Sequence, residues 1–197
     1  MVIGERFAWG HLQKTAGDAT LGLFGLFPDL IVFADPRNTE AKHASFAERE
    51  AQIRGKVLAA NLRRLPAWTL SWAQQRAREG RRPDDRPVPM NSPEQMVRVP
   101  RADVRLAALT DGGRFKIDRW LRTEHLGQDF CDFVSEFTDV DDETRKRILE
   151  FPSVNALSYD HDVEHWFTPE RIRRLYENNP LWAEAEREAY GDLALLD

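Results

Sequence analysis

The chain has 197 residues, 42% of them hydrophobic and 31% charged, with a net charge of −5 at pH 7. That size suits one domain with a proper core, and no apolar run approaches the length of a membrane span. The acidic balance argues against nucleic acid as a partner, because a phosphate backbone needs a basic face. The single cysteine, Cys131, precludes an internal disulfide and fits a reducing compartment.

In chain order, the apolar run Phe7 to Leu12 predicts a strand over 6–12. A polar turn with Lys14, Thr15 and Gly17 follows, then a helix over 18–27 that carries Leu21 to Phe27. A strand at 30–34, a helix at 44–54 and a strand at 56–62 come next, followed by a helix at 66–79 opened by Pro66. Residues 76–92 hold Arg76, Arg78, Arg81 and Arg82 among Pro83, Pro87 and Pro89 with almost no apolar periodicity. That composition predicts a loop, or a lid over an anionic ligand. A short helix near 93–97 and an unpatterned segment at 102–115 precede a strand at 117–121 and a helix at 124–137. There Thr123 is the expected cap, Leu126, Phe130, Phe133 and Phe137 form a buried stripe, and Cys131 is read as core.

Helices at 141–150, 168–177 and 180–189 close the chain. Thr168-Pro169-Glu170 is a helix start with proline in first place, and Ile172, Leu175 and Tyr176 share one face. Alternating strands and helices imply a three-layer α/β/α fold with a central parallel sheet. No internal repeat is visible. The expectation is a single domain, 1–197.

The stretch from Gln13 to Thr20 carries the chemistry. A strand feeding a tight turn that opens a helix aims backbone N–H groups and a positive helix end at an anion. Lys14 adds a full charge, and Thr15, Asp18 and Thr20 add polar side chains. The natural ligand is a phosphate, although a solvated turn with a chance lysine has the same outline. The nucleotide-triphosphatase signature does not fit, because no glycine stands just before Lys14.

A second anion motif follows, in which Arg63-Arg64 end an apolar run and Ser71 lies on the next helix. A guanidinium binds phosphate bidentately and a serine hydroxyl adds a hydrogen bond. A surface arginine pair is the plain alternative. Of the histidines, His11 reads as structural support for the loop and His125 falls in a helix start. His161 and His165 have helical ligand spacing without a third ligand, so no metal is expected. His43 follows the second strand at the carboxyl end of the sheet, where ligands bind in such folds. Glu48 and Glu50 are reserve bases.

These segments resemble the sulfotransferases that use 3′-phosphoadenosine-5′-phosphosulfate (PAPS), in their carbohydrate-type and bacterial forms. His11, Lys14, Thr15, Ala16, Gly17 and Thr20 are similar to the family's 5′-phosphosulfate loop, while Asp18 departs from it, since the family has Thr or Ser there. Arg63 and Ser71, eight positions apart, resemble the 3′-phosphate motif, with Arg64 as the other candidate because Pro66 lies one place late. Leu121, Arg122, Glu124, Leu126, Asp129 and Phe130 resemble a late strand–helix unit of the same family.

The resemblance implies a P-loop-like nucleotide-binding topology and transfer of a sulfuryl group from PAPS to a hydroxyl or amine of a carbohydrate, lipid or small molecule. The product nucleotide is adenosine 3′,5′-bisphosphate (PAP). Residues Gln13, Lys14, Thr15, Ala16, Gly17, Asp18, Ala19 and Thr20 would hold the 5′ end, and Arg63, Arg64 and Ser71 the 3′-phosphate. Lys14 and His43 would be catalytic. The chain is short for the family, so its acceptor site is expected to be open or completed by a second copy. No leader or anchor is expected, and the resemblance points to a cytoplasmic, bacterial enzyme. Two rival readings are a small-molecule kinase on the same scaffold and a non-catalytic sulfotransferase-like binding protein.

Overall fold

A computed structural model describes residues 1–36, 39–79, 101–154 and 158–195. The expected lid over 76–92 and helix near 93–97 lie almost wholly outside them. Close contacts divide the chain into two compact units, one of residues 1–62 and 105–155, the other of 63–104 and 156–197.

The first unit is built on a five-stranded sheet. Its strands are β1 (Val2–Ile3), β2 (Phe7–Gly10), β3 (Phe33–Ala34), β4 (Val57–Leu62) and β5 (Arg119–Arg122), in the spatial order β3-β1-β2-β4-β5. The α/β class is as expected, but the sheet is mixed rather than all-parallel. β2, β4 and β5 run parallel, whereas β1 pairs antiparallel with both β2 and β3. The cause is local. Only three residues separate β1 from β2, which suffices for a hairpin and not for a crossover. Gly4 makes the turn possible, since a Cβ there would lie 2.3 Å from the Phe7 ring.

Period-two alternation in β2 sends Phe7 and Trp9 to one face of the sheet and Ala8 and Gly10 to the other. On the first face Phe7 and Trp9 join Leu21, Leu23 and Phe24 of helix α1 (Gly17–Phe24) in one buried cluster. Phe130, Cys131, Phe133 and Val134 of helix α5 (Leu126–Ser135) complete it, with Ile148 of α6 (Asp142–Leu149). Phe7 stacks on Phe24 at 5.6 Å and meets Phe133 edge-on at 5.3 Å. The stripe Leu126, Phe130, Phe133 and Phe137 thus packs as expected, and Cys131 is core. On the other face Gly10 admits Phe46 and Leu109, whose atoms would lie 2.8 Å from any Cβ at that position.

Several local expectations need correction. The helix expected over 44–54 is a 3-10 turn at Ala47–Arg49 followed by the short α2 (Glu50–Ile53). A capping box starts it, because Ser45 N and Oγ donate to Glu48 Oε2 while Glu48 N donates to Ser45 Oγ. Thr123 does not cap α5; its hydroxyl donates to the Leu62 carbonyl at 3.0 Å and ties β5 to the end of β4. Asp129 instead receives the Arg122 backbone N–H and guanidinium. The unpatterned 102–115 segment contains α4 (Arg101–Thr110), with Ala102, Leu106 and Leu109 buried.

The second unit contains α3 (Leu65–Glu79), α7 (Val163–Trp166), α8 (Pro169–Glu177) and α9 (Pro180–Tyr190). Thr168 caps α8 by accepting the Arg171 N–H, and Ile172, Leu175 and Tyr176 are buried, as the sequence predicts. Trp68 and Trp182, both buried, meet at 5.0 Å.

Candidate functional site

The turn between β2 and α1 is held in an unusual backbone shape. Lys14 and Ala16 both have positive φ, 65° and 63°, without being glycine. For a residue with a Cβ that conformation costs on the order of 1–2 kcal/mol, and such strain concentrates where a ligand is clamped. Two left-handed residues flanking Thr15 turn the chain sharply into α1. The first helical N–H groups, beginning at Gly17, have no acceptor within the helix, and the earliest returned bonds run from Ala19 and Thr20 to the Ala16 carbonyl.

Side chains brace this turn from inside. The Thr15 hydroxyl is buried and donates to the Leu12 carbonyl at 2.8 Å. Thr20 Oγ1 bonds to Asn61 of β4, which also accepts the Trp9 indole N–H at 2.7 Å. Both hydroxyls expected to add polar groups toward a ligand are therefore part of the scaffold. An anion would be met chiefly by the backbone and the helix start, at a turn that also carries the half-buried Lys14. Asn61 carries a signal of its own in the sequence, an amide inside the apolar strand Val57–Leu62.

Beneath the turn lies His11. Its ring fills the space a Cβ at Gly17 would need, with Nε2 only 2.0 Å from that position, so residue 17 must be glycine. His11 is 6% exposed and its Nδ1 has no hydrogen-bond partner among the described residues. Burial, reinforced by neighbouring His43, lowers its pKa from the ordinary 6.5 to about 3. The imidazole is neutral.

His43 closes the 3-10 turn Glu40–His43, not a longer helix. Its ring lies 4.6 Å from that of His11, and its Nδ1 is 3.2 Å from the His11 carbonyl oxygen. A carbonyl only accepts, so Nδ1 carries the proton and Nε2 keeps the lone pair. Burial lowers the pKa of His43 as well. The structure therefore places His43 against the residue that supports the turn.

Asp18, the departure from the resemblance, is not left facing an anion alone. Lys42 Nζ lies 3.2 Å from its Oδ1. The reserve bases are engaged elsewhere, Glu48 in the capping box and Glu50 with Arg114 at 3.0 Å.

The remaining candidates belong to the second unit. Arg64 is committed to Glu186 at 3.1 Å and Asp192 at 2.6 Å, and it lies 4.0 Å from the Tyr190 ring centroid. Arg63 differs, since its Nε is buried without a hydrogen-bond partner among the described residues. Ser71 is buried on α3. Exposed His165 lies 3.8 Å from Asp160, and His161 packs on Tyr159. Among the described residues no three His, Cys, Asp or Glu side chains converge on a metal position, and no helix is long and apolar enough to cross a membrane.

No family model, curated protein or solved structure matches the chain.

Proposed function

We propose that this chain is a PAPS-dependent sulfotransferase whose donor loop is Gln13 to Thr20. The observation that carries the reading is the strained turn at Lys14 and Ala16. It lies at the carboxyl end of a parallel strand, opens α1, and is braced from inside by Thr15 and Thr20, so that the start of the helix is presented to an anion. That arrangement fits a 5′-phosphosulfate.

When bound, PAPS supplies an activated sulfuryl group. The acceptor oxygen or nitrogen forms a bond to sulfur as the bond from sulfur to the bridging phosphate oxygen breaks, leaving PAP. Lys14 neutralises charge building on that bridging oxygen. Backbone N–H groups of the turn and the start of α1, ahead of Ala19, hold the 5′ anion. His43 Nε2 takes the acceptor proton. Arg63 and Ser71 are the residues that the resemblance gives for the 3′-phosphate. Carbohydrate, lipid and small-molecule acceptors fit this chemistry equally.

A thermal-shift titration with PAP, AMP and magnesium ATP tests the reading. PAP at about a hundredfold excess over its dissociation constant should stabilise the fold by roughly 2.7 kcal/mol, with AMP much less effective. A shift confined to magnesium ATP would move the assignment to a kinase. PAP binding without sulfuryl transfer to any acceptor would indicate a binding protein.

A further inference from the structure

We propose that His11 is a positioning residue for transfer, holding His43 in register with the donor loop. The inference rests on the donor-loop reading above and on His43 as the base. His11 follows β2 directly and meets both partners. Its ring lies under Gly17 at the start of α1, with Nε2 2.0 Å and Cδ2 2.1 Å from where a Cβ would stand. The same ring lies 4.6 Å from that of His43, tilted by 54°, and 5.4 Å from the Trp9 ring of the core. The backbone carbonyl of His11 accepts the His43 Nδ1 proton at 3.2 Å. Loop and base therefore touch one residue, the first through its ring and the second through ring and carbonyl.

Packing makes this junction stiff. His11 is buried and its Nδ1 has no hydrogen-bond partner among the described residues, so at that nitrogen the ring is placed by the shape of its neighbours. A shift of the chain at Gly17 moves the ring, and a moved ring disturbs His43. Alignment matters here, because a misplacement of about 1 Å can cost roughly a hundredfold in rate. Charge supports the arrangement. The groups acting on His11 are His43, Asp18, Lys42 and the Met1 ammonium, and those acting on His43 are His11, Lys42, Glu40 and that ammonium. Burial keeps His11 neutral, so it adds no repulsion when His43 takes up a proton.

A double-mutant cycle tests this, with Gly17→Ala, His11→Ala and the double variant beside the unaltered chain. The φ of Gly17 is not positive, so alanine there is opposed by the His11 ring and not by its own backbone. Each protein is titrated calorimetrically with PAP, and its histidine nitrogens are followed by NMR across neutral and acidic pH, with His43→Asn identifying the His43 signals. In the unaltered chain His43 should carry its proton on Nδ1. Gly17→Ala should weaken PAP about tenfold, loosen the His43 tautomer and move its titration midpoint toward the ordinary 6.5. With the ring removed in His11→Ala, adding Gly17→Ala should leave His43 unchanged and alter PAP affinity by less than about threefold. A side chain that only filled space under the loop would not carry a change at Gly17 to a histidine on another element. If Gly17→Ala weakens PAP but leaves the His43 tautomer and midpoint as they were, or acts as strongly without the His11 ring as with it, the inference is overturned and the donor loop stands. Should Gly17→Ala fail to fold, an unchanged His43 tautomer and midpoint in His11→Ala overturns it alone. Failure of the unaltered chain to bind PAP overturns the donor-loop reading, and this inference with it.

Discussion

The imidazole Nδ1 of His43 lies 3.2 Å from the carbonyl oxygen of His11, and that contact decides which nitrogen of His43 keeps its lone pair. With Nδ1 protonated toward the carbonyl, Nε2 is the basic atom. Burial lowers the pKa of His43 below its ordinary 6.5, with the His11 contact opposing in part. In the proposed reaction the base must be neutral to act, so transfer should be present at neutral pH and lost on acidification. The acid limb of kcat/KM is expected below pH 6.5, and His43→Asn should lower transfer about a hundredfold or more while PAP still binds. A variant that keeps both rate and acid limb removes His43 from the chemistry.

His11 has a separate signature in stability. The folded chain holds it neutral down to about pH 3, whereas the unfolded chain protonates near 6.5. Its depressed pKa means the stability is complete above pH 6.5 and declines as pH falls toward 3. The slope is about 1.4 kcal/mol per pH unit for one such group. Urea unfolding between pH 6.5 and 5, where most carboxylates stay ionised, should show a steeper loss in the native chain than in His11→Asn. Parallel slopes would mean that His11 takes up its proton in the folded state.

Asn61 joins three elements: Trp9 of β2, Thr20 of α1 and its own strand β4. Asn61→Ala leaves the buried Trp9 N–H without its acceptor. Such an orphaned group costs about 1–3 kcal/mol, and the brace on the α1 start is lost too. Chemical denaturation should register that destabilisation, and PAP affinity should fall with it. A variant as stable as the parent would show that another acceptor reaches Trp9.

The sequence made the central strands legible because β2 and β4 are short apolar runs ended by polar turns, and α8 because a capping threonine and proline precede its stripe. β1 escaped notice since Val2–Ile3 is too short for any periodicity, and its antiparallel pairing made the sheet mixed. Ser45 and Glu48 spell a capping box that marks the start of the turn before α2, yet the apolar spacing suggested a longer helix. At the site, the loop residues could be read from local order. Lys42 could not be assigned to Asp18, because the two are 24 positions apart and only the fold joins them. Nor could Thr15 be known to turn inward, since a hydroxyl in a polar turn serves carbonyl or ligand equally well.

In the proposed reaction Lys14 would act on charge that develops during transfer. Lys14→Ala should therefore lower kcat far more than it weakens PAP binding. Loss of one preorganised charge partner costs on the order of a hundredfold or more. Single-turnover rates beside PAP titrations would separate the two effects. Near-normal turnover in the variant would place Lys14 outside the chemistry, and equal losses in rate and affinity would make it a binding group only.

Arg63 and Arg64 are adjacent in sequence but should respond oppositely to removal. Glu186 is fully buried and accepts from the Leu65 backbone N–H, the Tyr176 hydroxyl and Arg64. Burial still drives its pKa upward, so the arginine matters to its ionised form. Arg64→Ala strips a buried carboxylate of its cation, a change that costs about 3 kcal/mol or more. It also removes the contacts to Asp192 and Tyr190. Arg63→Ala breaks no ion pair among the described residues and should leave stability nearly intact, yet it should reduce the preference for PAP over AMP about tenfold, the scale of one lost charge-assisted phosphate contact. Melting curves and nucleotide titrations on both variants decide the matter. If Arg64→Ala stays stable and alone loses the 3′-phosphate preference, the roles are reversed and Arg64 is the nucleotide ligand.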